Sequence, residues 1–197
     1  HIASIKRSTD QLRDMLPSEF PERAPEKDEV YAIPGQDAAL DDIIARAIAG
    51  WQQEYPDIAI TFEPGCSDTR VGMHEKWQYQ LLRHLVTNSA RAVQQKSDLA
   101  AGEGKITVRT RLVHGKSQAE IEVEDNGKGV RSEVQPLLFK RPVHHVEERA
   151  NERAGWGLLL VEVVVNQHGG TARLVRSEPG KGSCFAYTIP VIHNDPT

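Results

Sequence analysis

The segment from residue 119 to residue 129 limits the possible folds of this chain more than any other. Residues 119–124 alternate between apolar side chains and glutamates, as in a β-strand with one face in a protein core. The alternation ends at Asp125, and Gly127 and Gly129 follow closely. An aspartate at a strand end offers fixed carboxylate acceptors, while glycines permit a positive φ and let a flat ligand lie against bare backbone. The pattern therefore predicts either a site for a purine with an amino group or an ordinary turn between two strands.

Hydrophobic periodicity along the rest of the chain predicts helices and strands in a mixed order. A helical period is found from Asp37 or Ala38 to Tyr55, and again at 74–95 and 157–167. The last of these is apolar nearly all round and is predicted to be a buried helix. Besides the strand that ends at Asp125, strands are predicted at 58–63, 105–113, 171–176 and 183–190, with shorter ones at 29–33 and 68–73. This order predicts an α+β fold, a two-layer α/β sandwich whose mixed, mostly antiparallel sheet carries its helices on one face.

Composition and proline punctuation divide the chain into four parts. Residues 2–16 carry a partial helical stripe that stops at a proline, and residues 17–28 are rich in Pro, Glu, Lys and Arg, as a linker is. The folded domain is expected to span residues 29–192, followed by a short tail at 193–197. With 197 residues, 39% of them hydrophobic, the chain is long enough to bury a core of its own.

The overall composition gives no reason to expect nucleic acid or an anionic membrane surface as a partner. The net charge is only -4. No apolar run approaches the ~20 residues that span a bilayer. Cys66 and Cys184 are isolated in the sequence, without metal-ligand spacing, and two cysteines make no disulfide framework, which fits a reducing cytoplasm.

Asn88 is a polar residue on the apolar stripe of the second predicted helix. It shares that stripe with Leu81 and Leu85, so it is expected to face inward or to rim a cavity. A buried amide without a partner costs about 1–3 kcal/mol, so a backbone group or a Mg²⁺ ion with phosphate oxygens should satisfy it. Arg91 lies about one turn further on, where it points either toward the same phosphates or into solvent.

A glycine pair at Gly155 and Gly157 opens the last predicted helix. Uncapped N–H groups and the helix macrodipole favour an anion at such an entry. The preceding stretch, residues 131–154, has no periodicity and carries several Lys, Arg and His side chains. A loop of this length inside a compact domain is usually a functional lid or disordered.

Taken in order, these motifs resemble the catalytic, ATP-binding domain of sensor histidine kinases. That domain belongs to the Bergerat-fold (GHKL) group, which also holds the gyrase, heat-shock chaperone and mismatch-repair ATPases. The resemblance covers residues 30–192 and rests on five boxes. Residues 82–92 are similar to the N box, 125–129 to the G1 box, 138–139 to the F box, 155–170 to the G2 box with its helix, and 180–185 to the last glycine box.

The resemblance implies a role for each matched residue. Asp125 would bind the adenine amino group, and Ser183 would lie near the base through a water. Asn88 would hold Mg²⁺ and, with Arg91, would be catalytic. The implied ATP-binding set is His84, Asn88, Arg91, Asp125, Gly127, Gly129, Phe139, Gly155, Trp156, Gly157, Leu158 and Ser183.

By the same resemblance, the chain is expected to be the kinase domain of a two-component system. It would transfer the γ-phosphoryl of ATP to a histidine on a dimerisation helix, and residues 1–16 would be the end of the second such helix. The implied partners are ATP with Mg²⁺, the phospho-acceptor domain of the same parent and a response regulator. The parent would form a homodimer through its helices, in the cytoplasm or on the cytoplasmic side of a membrane.

Two departures from the family pattern leave alternatives open. His84 stands where the kinases usually have Asn and the ATPases have Glu, and Trp156 is bulky where the G2 box prefers a small residue. A hydrolase of the gyrase or chaperone type would want a carboxylate at position 84 to activate water. The altered boxes also leave room for a degenerate nucleotide-binding or docking module without transfer activity.

Overall fold

The computed structural model describes residues 38–100, 102–140 and 156–192. In chain order the elements are α1 (Leu40–Glu54), β1 (Ile58–Glu63), α2 (Glu75–Gln94), β2 (Gly104–Val113), β3 (Gln118–Asp125), a 3-10 turn (Gln135–Leu137), α3 (Gly157–Gln167), β4 (Ala172–Glu178) and β5 (Gly182–Pro190). The predicted strand at 29–33, the helix end at 1–16, the linker at 17–28 and the tail at 193–197 lie outside the described residues.

The five strands form one sheet in the order β1-β2-β3-β5-β4. β1 pairs with β2 in parallel, and the other three pairs are antiparallel. The register places Asp125, the last residue of β3, between Ile106 of β2 and Ser183 of β5. The predicted mixed, mostly antiparallel sheet is confirmed, and its last hairpin folds back so that β5 lies beside β3.

The three helices cover one face of this sheet. The apolar side chains of β3 at Ala119, Ile121 and Val123 have no solvent exposure and lie in one hydrophobic core with α2. α2 contacts β2, β3 and β5, while α1 packs on β1 at one side and α3 packs on β4 and β5 at the other. Because strand residues alternate between faces, the glutamates of β3 point to the opposite side.

That opposite face carries a network of arginine and glutamate side chains, the Arg–Glu network. Arg111 of β2 donates to Glu120 and Glu122 of β3, at 2.7 and 2.8 Å, and Arg173 of β4 also donates to Glu120. β5 lies between β3 and β4 but presents small side chains there, so the arginines of β4 reach over it. The members are Glu63, Arg109, Arg111, Glu120, Glu122, Glu124, Arg173 and Arg176.

Two predicted elements differ in the structure. The short strand predicted at 68–73 is reduced to a single bridge between Val71 and Val191. α3, predicted to be a buried helix, buries only Leu159, Val161, Val164 and Val165, because it packs on the sheet and α2 from one side; its other side is half-exposed in the described part of the chain. None of the described helices is long and apolar enough to cross a membrane.

Candidate functional site

Asp125 ends β3 with its carboxylate held by hydrogen bonds from three directions. Its Oδ1 accepts the Gly127 N–H at 2.9 Å and the Ser183 N–H at 3.3 Å. Its Oδ2 accepts the Ser89 hydroxyl of α2 at 3.1 Å. Only 5% of the residue is exposed. The side chain is therefore fixed in orientation at the point where β3, β5 and α2 meet.

The pKa of Asp125 is raised above its ordinary value. Burial is the main cause, because the low-dielectric surroundings disfavour the charged form, and the neighbouring Glu124 adds to it. The hydrogen bonds from Gly127, Ser89 and Ser183 work in the opposite direction and only partly offset the burial. These three hydrogen bonds stabilise the ionised carboxylate at a position that is almost fully shielded from solvent.

The two glycines after Asp125 serve different purposes. Gly129 has φ +67°, and a Cβ on it would lie 2.3 Å from the carbonyl oxygen of Glu178. Gly127 is not among the glycines with a positive φ. A Cβ there would instead lie 2.5 Å from the backbone of Ala92, and the Lys128 N–H donates to the Ala92 carbonyl at 3.0 Å. Gly127 is needed for the close approach of the turn to α2.

A pair of serine hydroxyls adjoins Asp125 on the β4–β5 hairpin. Ser183 Oγ lies 2.9 Å from Ser177 Oγ, which also accepts the Val130 N–H at 2.8 Å. Ser177 was missed by the sequence analysis, since its pairing with Ser183 depends on the register shift between Leu174 and Arg176. No sequence signal marks such a shift.

Ser89 was also missed, although a signal for it existed. It follows Leu81 and Leu85 at intervals of four, on the stripe where Asn88 was expected, and only 1% of it is exposed. Asn88 lies at the edge of that stripe and is half-buried. Its amide forms no hydrogen bond with another described residue. Arg91, one turn further along, is half-buried as well.

The other end of the site lies where α2 meets the first turn of α3. His84 Nδ1 is 3.2 Å from the place that a Cβ on Gly157 would take, so the imidazole packs directly on that glycine. Burial lowers the pKa of His84, and the charge of Arg83 lowers it further, which keeps the ring neutral at physiological pH. An indole offers no acceptor, so Trp156 at the N-cap leaves the first N–H groups of α3 to other partners.

The remaining predicted site residues lie around these two ends. Phe139 has φ +62° and makes an edge-to-face contact with Phe185 of β5, with ring centroids 6.2 Å apart. A bulky residue in this conformation is uncommon and costs roughly 1–3 kcal/mol. Leu158 is half-buried on α3. Gly155 lies outside the described residues.

α2 connects the two ends and sets their spacing. Ser89, at the Asp125 end, and His84, at the α3 end, are five residues apart, which is about 7.5 Å along a helix. Asn88 lies between them. The arrangement offers carboxylate and hydroxyl groups at one end and a helix N-terminus that favours an anion at the other. It suits an elongated ligand with an amino-bearing ring and a negatively charged tail.

The residues present fit a magnesium ion that is shared with such a tail. In the described ranges, no three His, Cys, Asp or Glu side chains cluster tightly enough to hold a metal by themselves. Magnesium is commonly bound through one protein oxygen together with phosphate oxygens and waters. The amide of Asn88, which has no hydrogen-bond partner among the described residues and lies between His84 and Ser89 on α2, offers such an oxygen.

Comparison with known proteins agrees with this geometry. Residues 73–193, more than half of the chain, match the family described as "Histidine kinase-, DNA gyrase B-, and HSP90-like ATPase". The chain belongs to this family. The match begins just before α2 and includes every element that contributes to the site.

Members of the histidine kinase-like ATPase family that resemble this chain include named sensor kinases. The sensor histidine kinase ZraS of Klebsiella oxytoca is 29% identical over 158 residues, which cover 79% of this chain and 31% of that protein. The adaptive-response sensory kinase SasA of Thermosynechococcus vestitus is 39% identical over 74 residues, covering 38% of this chain and 19% of that protein. This chain thus spans about a fifth to a third of the length of these relatives.

Solved structures of the same family agree in fold. The histidine kinase domain of the E. coli osmosensor EnvZ is 25% identical to this chain and superposes with a TM-score of 0.58. The superposition covers 84% of this chain and 94% of that one. The described sheet and helices therefore form an α+β domain of the histidine kinase type.

Proposed function

We propose that this chain is the ATP-binding catalytic domain of a two-component sensor histidine kinase. One observation carries the proposal: Ser89, which contacts the Asp125 carboxylate, and His84, which packs on the first turn of α3, are about 7.5 Å apart along α2. Asn88, whose amide forms no hydrogen bond with another described residue, lies between them in the sequence. ATP has an amino-bearing ring at one end and a triphosphate at the other, and its Mg²⁺ ion is bound by the phosphate oxygens. The names of the related sensor kinases support the same reading.

Adenine is recognised at the Asp125 end. The carboxylate accepts a hydrogen bond from the 6-amino group, which a base without that group cannot donate. Gly127 and Gly129 flank the base with their main chain, since their side-chain directions are closed by the backbone of Ala92 and of Glu178. Ser183 contacts the base through a water.

The triphosphate extends toward the N-terminus of α3. Gly155 and Gly157 line the phosphates with backbone N–H groups, and Arg91 adds a positive charge. Asn88 would supply the protein oxygen for Mg²⁺, and the ion would offset negative charge on the phosphate oxygens. The wall around the bound nucleotide is formed by His84, Phe139, Trp156 and Leu158.

The reaction is an in-line transfer from ATP to a histidine on a dimerisation helix of the parent protein. A bond forms between the unprotonated imidazole nitrogen and the γ-phosphorus, the bond to the bridging oxygen of ADP breaks, and the other ring nitrogen then loses its proton to solvent. A neutral imidazole is already a nucleophile, so the domain contributes positioning and charge stabilisation. Hydrolysis is disfavoured, because position 84 holds a histidine in place of the carboxylate that a hydrolase of the gyrase or chaperone type would use to activate water.

The parent protein supplies the remaining partners. Residues 1–16 belong to the end of a dimerisation helix, residues 17–28 are the linker, and the catalytic domain runs from residue 29 to residue 192 before a tail at 193–197. The parent is a homodimer through its helices, passes the phosphoryl group to a response regulator and keeps this domain in the cytoplasm.

A second candidate is a nucleotide-binding module that transfers nothing. The packing of His84 against Gly157 favours it, since an imidazole at the first turn of α3 narrows the space for a phosphate. Such a module would keep the adenine end and lose the productive position of the γ-phosphoryl.

Incubation with γ-labelled ATP separates these functions. The chain alone is expected to bind ATP, to hydrolyse it slowly at most and not to label itself. Adding the dimerisation domain of its parent should give an acid-labile, base-stable label on that domain, as expected for phosphohistidine. Nucleotide binding without transfer to that domain would establish the degenerate module, and fast turnover by the chain alone would establish a hydrolase.

A further inference from the structure

Ser89 contacts the carboxylate on which the proposed adenine site depends. The serine lies on the buried face of α2, with 1% of its surface exposed, and its hydroxyl is 3.1 Å from Asp125 Oδ2. A serine inside a helix can also donate to the carbonyl four residues before it. Here its one hydroxyl hydrogen is donated to Asp125, 36 residues away in the chain.

The two oxygens of Asp125 differ in the acceptor capacity that they have left. An ionised carboxylate has about four acceptor positions, two on each oxygen. Oδ1 already accepts the Gly127 and Ser183 N–H groups, so both of its positions are taken. Oδ2 accepts only Ser89 among the described residues, and one position remains. An amino group that binds Asp125 therefore meets the oxygen that Ser89 holds.

We propose that Ser89 is a positioning residue for adenine recognition, and this inference rests on the proposed function of the site. Its hydroxyl holds Asp125 Oδ2 in one orientation and directs the remaining acceptor position of that oxygen toward the 6-amino group of the base. Without this hydroxyl the carboxylate stays tethered through Oδ1 alone, which allows Oδ2 to turn away.

The charges around Asp125 are consistent with this role. The charged group that acts on it is Glu124, the preceding residue of β3, whose side chain points to the opposite face and pairs with Arg109 and Arg176. From α2 and β5, the groups that contact the carboxylate are the Ser89 hydroxyl and the Ser183 N–H. No positive charge contacts the carboxylate in the described part of the chain, so its orientation depends on these hydrogen bonds.

The test compares ATP with purine riboside triphosphate, which lacks the 6-amino group. Binding of both nucleotides is measured by calorimetry for the wild-type chain and for Ser89→Ala, with Mg²⁺ present. The wild-type chain should prefer ATP by about tenfold or more, as expected for a hydrogen bond to a charged group. Ser89→Ala should lose most of this preference, because its ATP affinity falls while its affinity for purine riboside triphosphate stays the same.

Thr110→Val is the matched control. Thr110 is a buried hydroxyl that donates to another buried aspartate, Asp41, at 2.7 Å and lies outside the site. Its removal should lower stability without changing the ratio of the two affinities. If Ser89→Ala does not fold, Ser89→Cys keeps a weak donor at nearly the same volume and should show an intermediate ratio.

The outcomes distinguish this inference from the proposed function. An equal fall in both affinities would make Ser89 a merely structural residue and would overturn the inference, as would an unchanged ratio. A wild-type chain that binds neither nucleotide, or does not distinguish them, would instead overturn the adenine site itself. Loss of the ratio in Ser89→Ala with retention in Thr110→Val would support both.

Discussion

Burial raises the pKa of Asp125, so keeping its carboxylate ionised lowers the stability of the folded chain. A substitution that removes this charge can therefore weaken ligand binding without weakening the fold. Replacing Asp125 by Asn keeps an oxygen for the Gly127 and Ser183 N–H groups and presents an amide donor where the carboxylate accepted. Asp125→Asn is expected to lower ATP affinity at least about tenfold, because donor then faces donor. Its free energy of unfolding should be unchanged or higher, since the charge whose burial raises the pKa is gone.

Calorimetry with ATP and denaturant unfolding of the same variant check both parts of this prediction. Unchanged affinity would remove Asp125 from the adenine site. A loss of affinity that came with a large loss of stability would assign it a structural role.

Asn88 lies at the edge of the buried stripe, where its side chain can be shortened without opening the core. If Asn88 holds Mg²⁺ as proposed, Asn88→Ala is expected to lower ATP affinity in the presence of Mg²⁺ and to change it little when the metal is chelated, because the variant removes only a metal contact. Calorimetry with and without EDTA measures the difference. Equal losses of ATP affinity with and without the metal would show that the amide contacts something other than Mg²⁺. Thr87→Ala, at the neighbouring position of α2, is the control and should change the affinity under neither condition.

The residues of the candidate site differed in how far the sequence could predict them. The position of Asp125 at a strand end and the left-handed conformation of Gly129 follow from local pattern alone. Ser89 and Ser177 do not, because each becomes part of the site through contacts with distant residues. Helical spacing narrowed the search on α2 to a few positions, but it could not decide between neighbours such as Asn88 and Ser89.

Among the turns, the one after β3 tolerates no side chain at Gly129. A Cβ there would lie 2.3 Å from the Glu178 carbonyl oxygen, and φ is +67°. Gly115 has nearly the same φ, +66°, with nothing within 4 Å. Gly115→Ala should therefore lower the free energy of unfolding only by the cost of placing an alanine in the left-handed conformation, about 1–2 kcal/mol. Gly129→Ala should cost roughly 1–3 kcal/mol more, because the turn and the β4–β5 hairpin must separate.

Urea unfolding of the two alanine variants measures this difference. Equal losses of stability would mean that the β4–β5 hairpin can move away from an alanine at position 129 with no loss of free energy. That result would contradict the close contact between the turn and the β4–β5 hairpin.

His168 ends α3 with one ring nitrogen satisfied and the other not. Nδ1 lies 2.8 Å from the Val164 carbonyl oxygen, and Nε2 is buried without a partner among the described residues. Burial lowers the pKa of this imidazole, and the bond to Val164 only partly offsets the effect. Because the unfolded chain binds the proton more tightly, stability is full above about pH 6.5 and is lost as the pH falls from there toward the folded-state pKa.

His168→Gln is expected to make the loss of stability below about pH 6.5 less steep. His84, whose pKa is also lowered, continues to contribute in this variant. Thermal unfolding between pH 5 and 8 checks the slope, and a slope unchanged from wild type would mean that His168 does not titrate in this range.

Most helices and strands followed from periodicity, and the exceptions have physical reasons. α2, β1 and β2 lie within a residue of their predicted bounds, since each has a long and regular pattern. The segment at 68–73 did not form a strand, because it pairs with the end of β5 at only one position. The burial of α3 was overestimated, since a helix that is apolar all round need not be covered all round.

At the scale of the whole molecule, the Arg–Glu network joins four of the five strands on the face opposite the helices. The Glu120 side chain is only 4% exposed and is shared by Arg111 and Arg173. Burial alone would raise its pKa, but these two arginines together hold it below its ordinary range. The sign follows from linkage: the stabilisation is present above about pH 4.3 and is lost as the pH falls through the folded-state pKa.

Glu120→Gln is expected to lower the free energy of unfolding by roughly 1–2 kcal/mol, a value discounted because both arginines are about half-exposed to solvent. Glu133→Gln is the control, since its pair with Arg131 is exposed on both sides and should contribute nothing measurable. Denaturant unfolding at pH 7 and pH 4 should show the difference between Glu120→Gln and wild type shrinking at the lower pH. A difference that is constant with pH would contradict the ionic role.

The class of fold could be predicted from the sequence, but the order of its strands could not. Alternation in β3 and β5 shows that each has one buried face, yet it does not say that β5 enters between β3 and β4. That order becomes understandable from the network, because the small residues Cys184, Ala186 and Thr188 let arginines of β4 reach the glutamates of β3. Such complementarity involves three strands at once and has no local signature.

Gly127 limits how the candidate site can diverge. Where two elements meet through side chains, paired substitutions can widen or narrow the gap between them. Here the gap between α2 and the turn is set by main-chain atoms of Ala92 on one side and by a glycine on the other, so no side chain exists whose exchange could adjust it. New ligand preferences can therefore arise by exchanging hydrogen-bonding groups, as at Ser89 and Ser183. A change in the width of the gap between α2 and the turn would instead require insertion or deletion of residues.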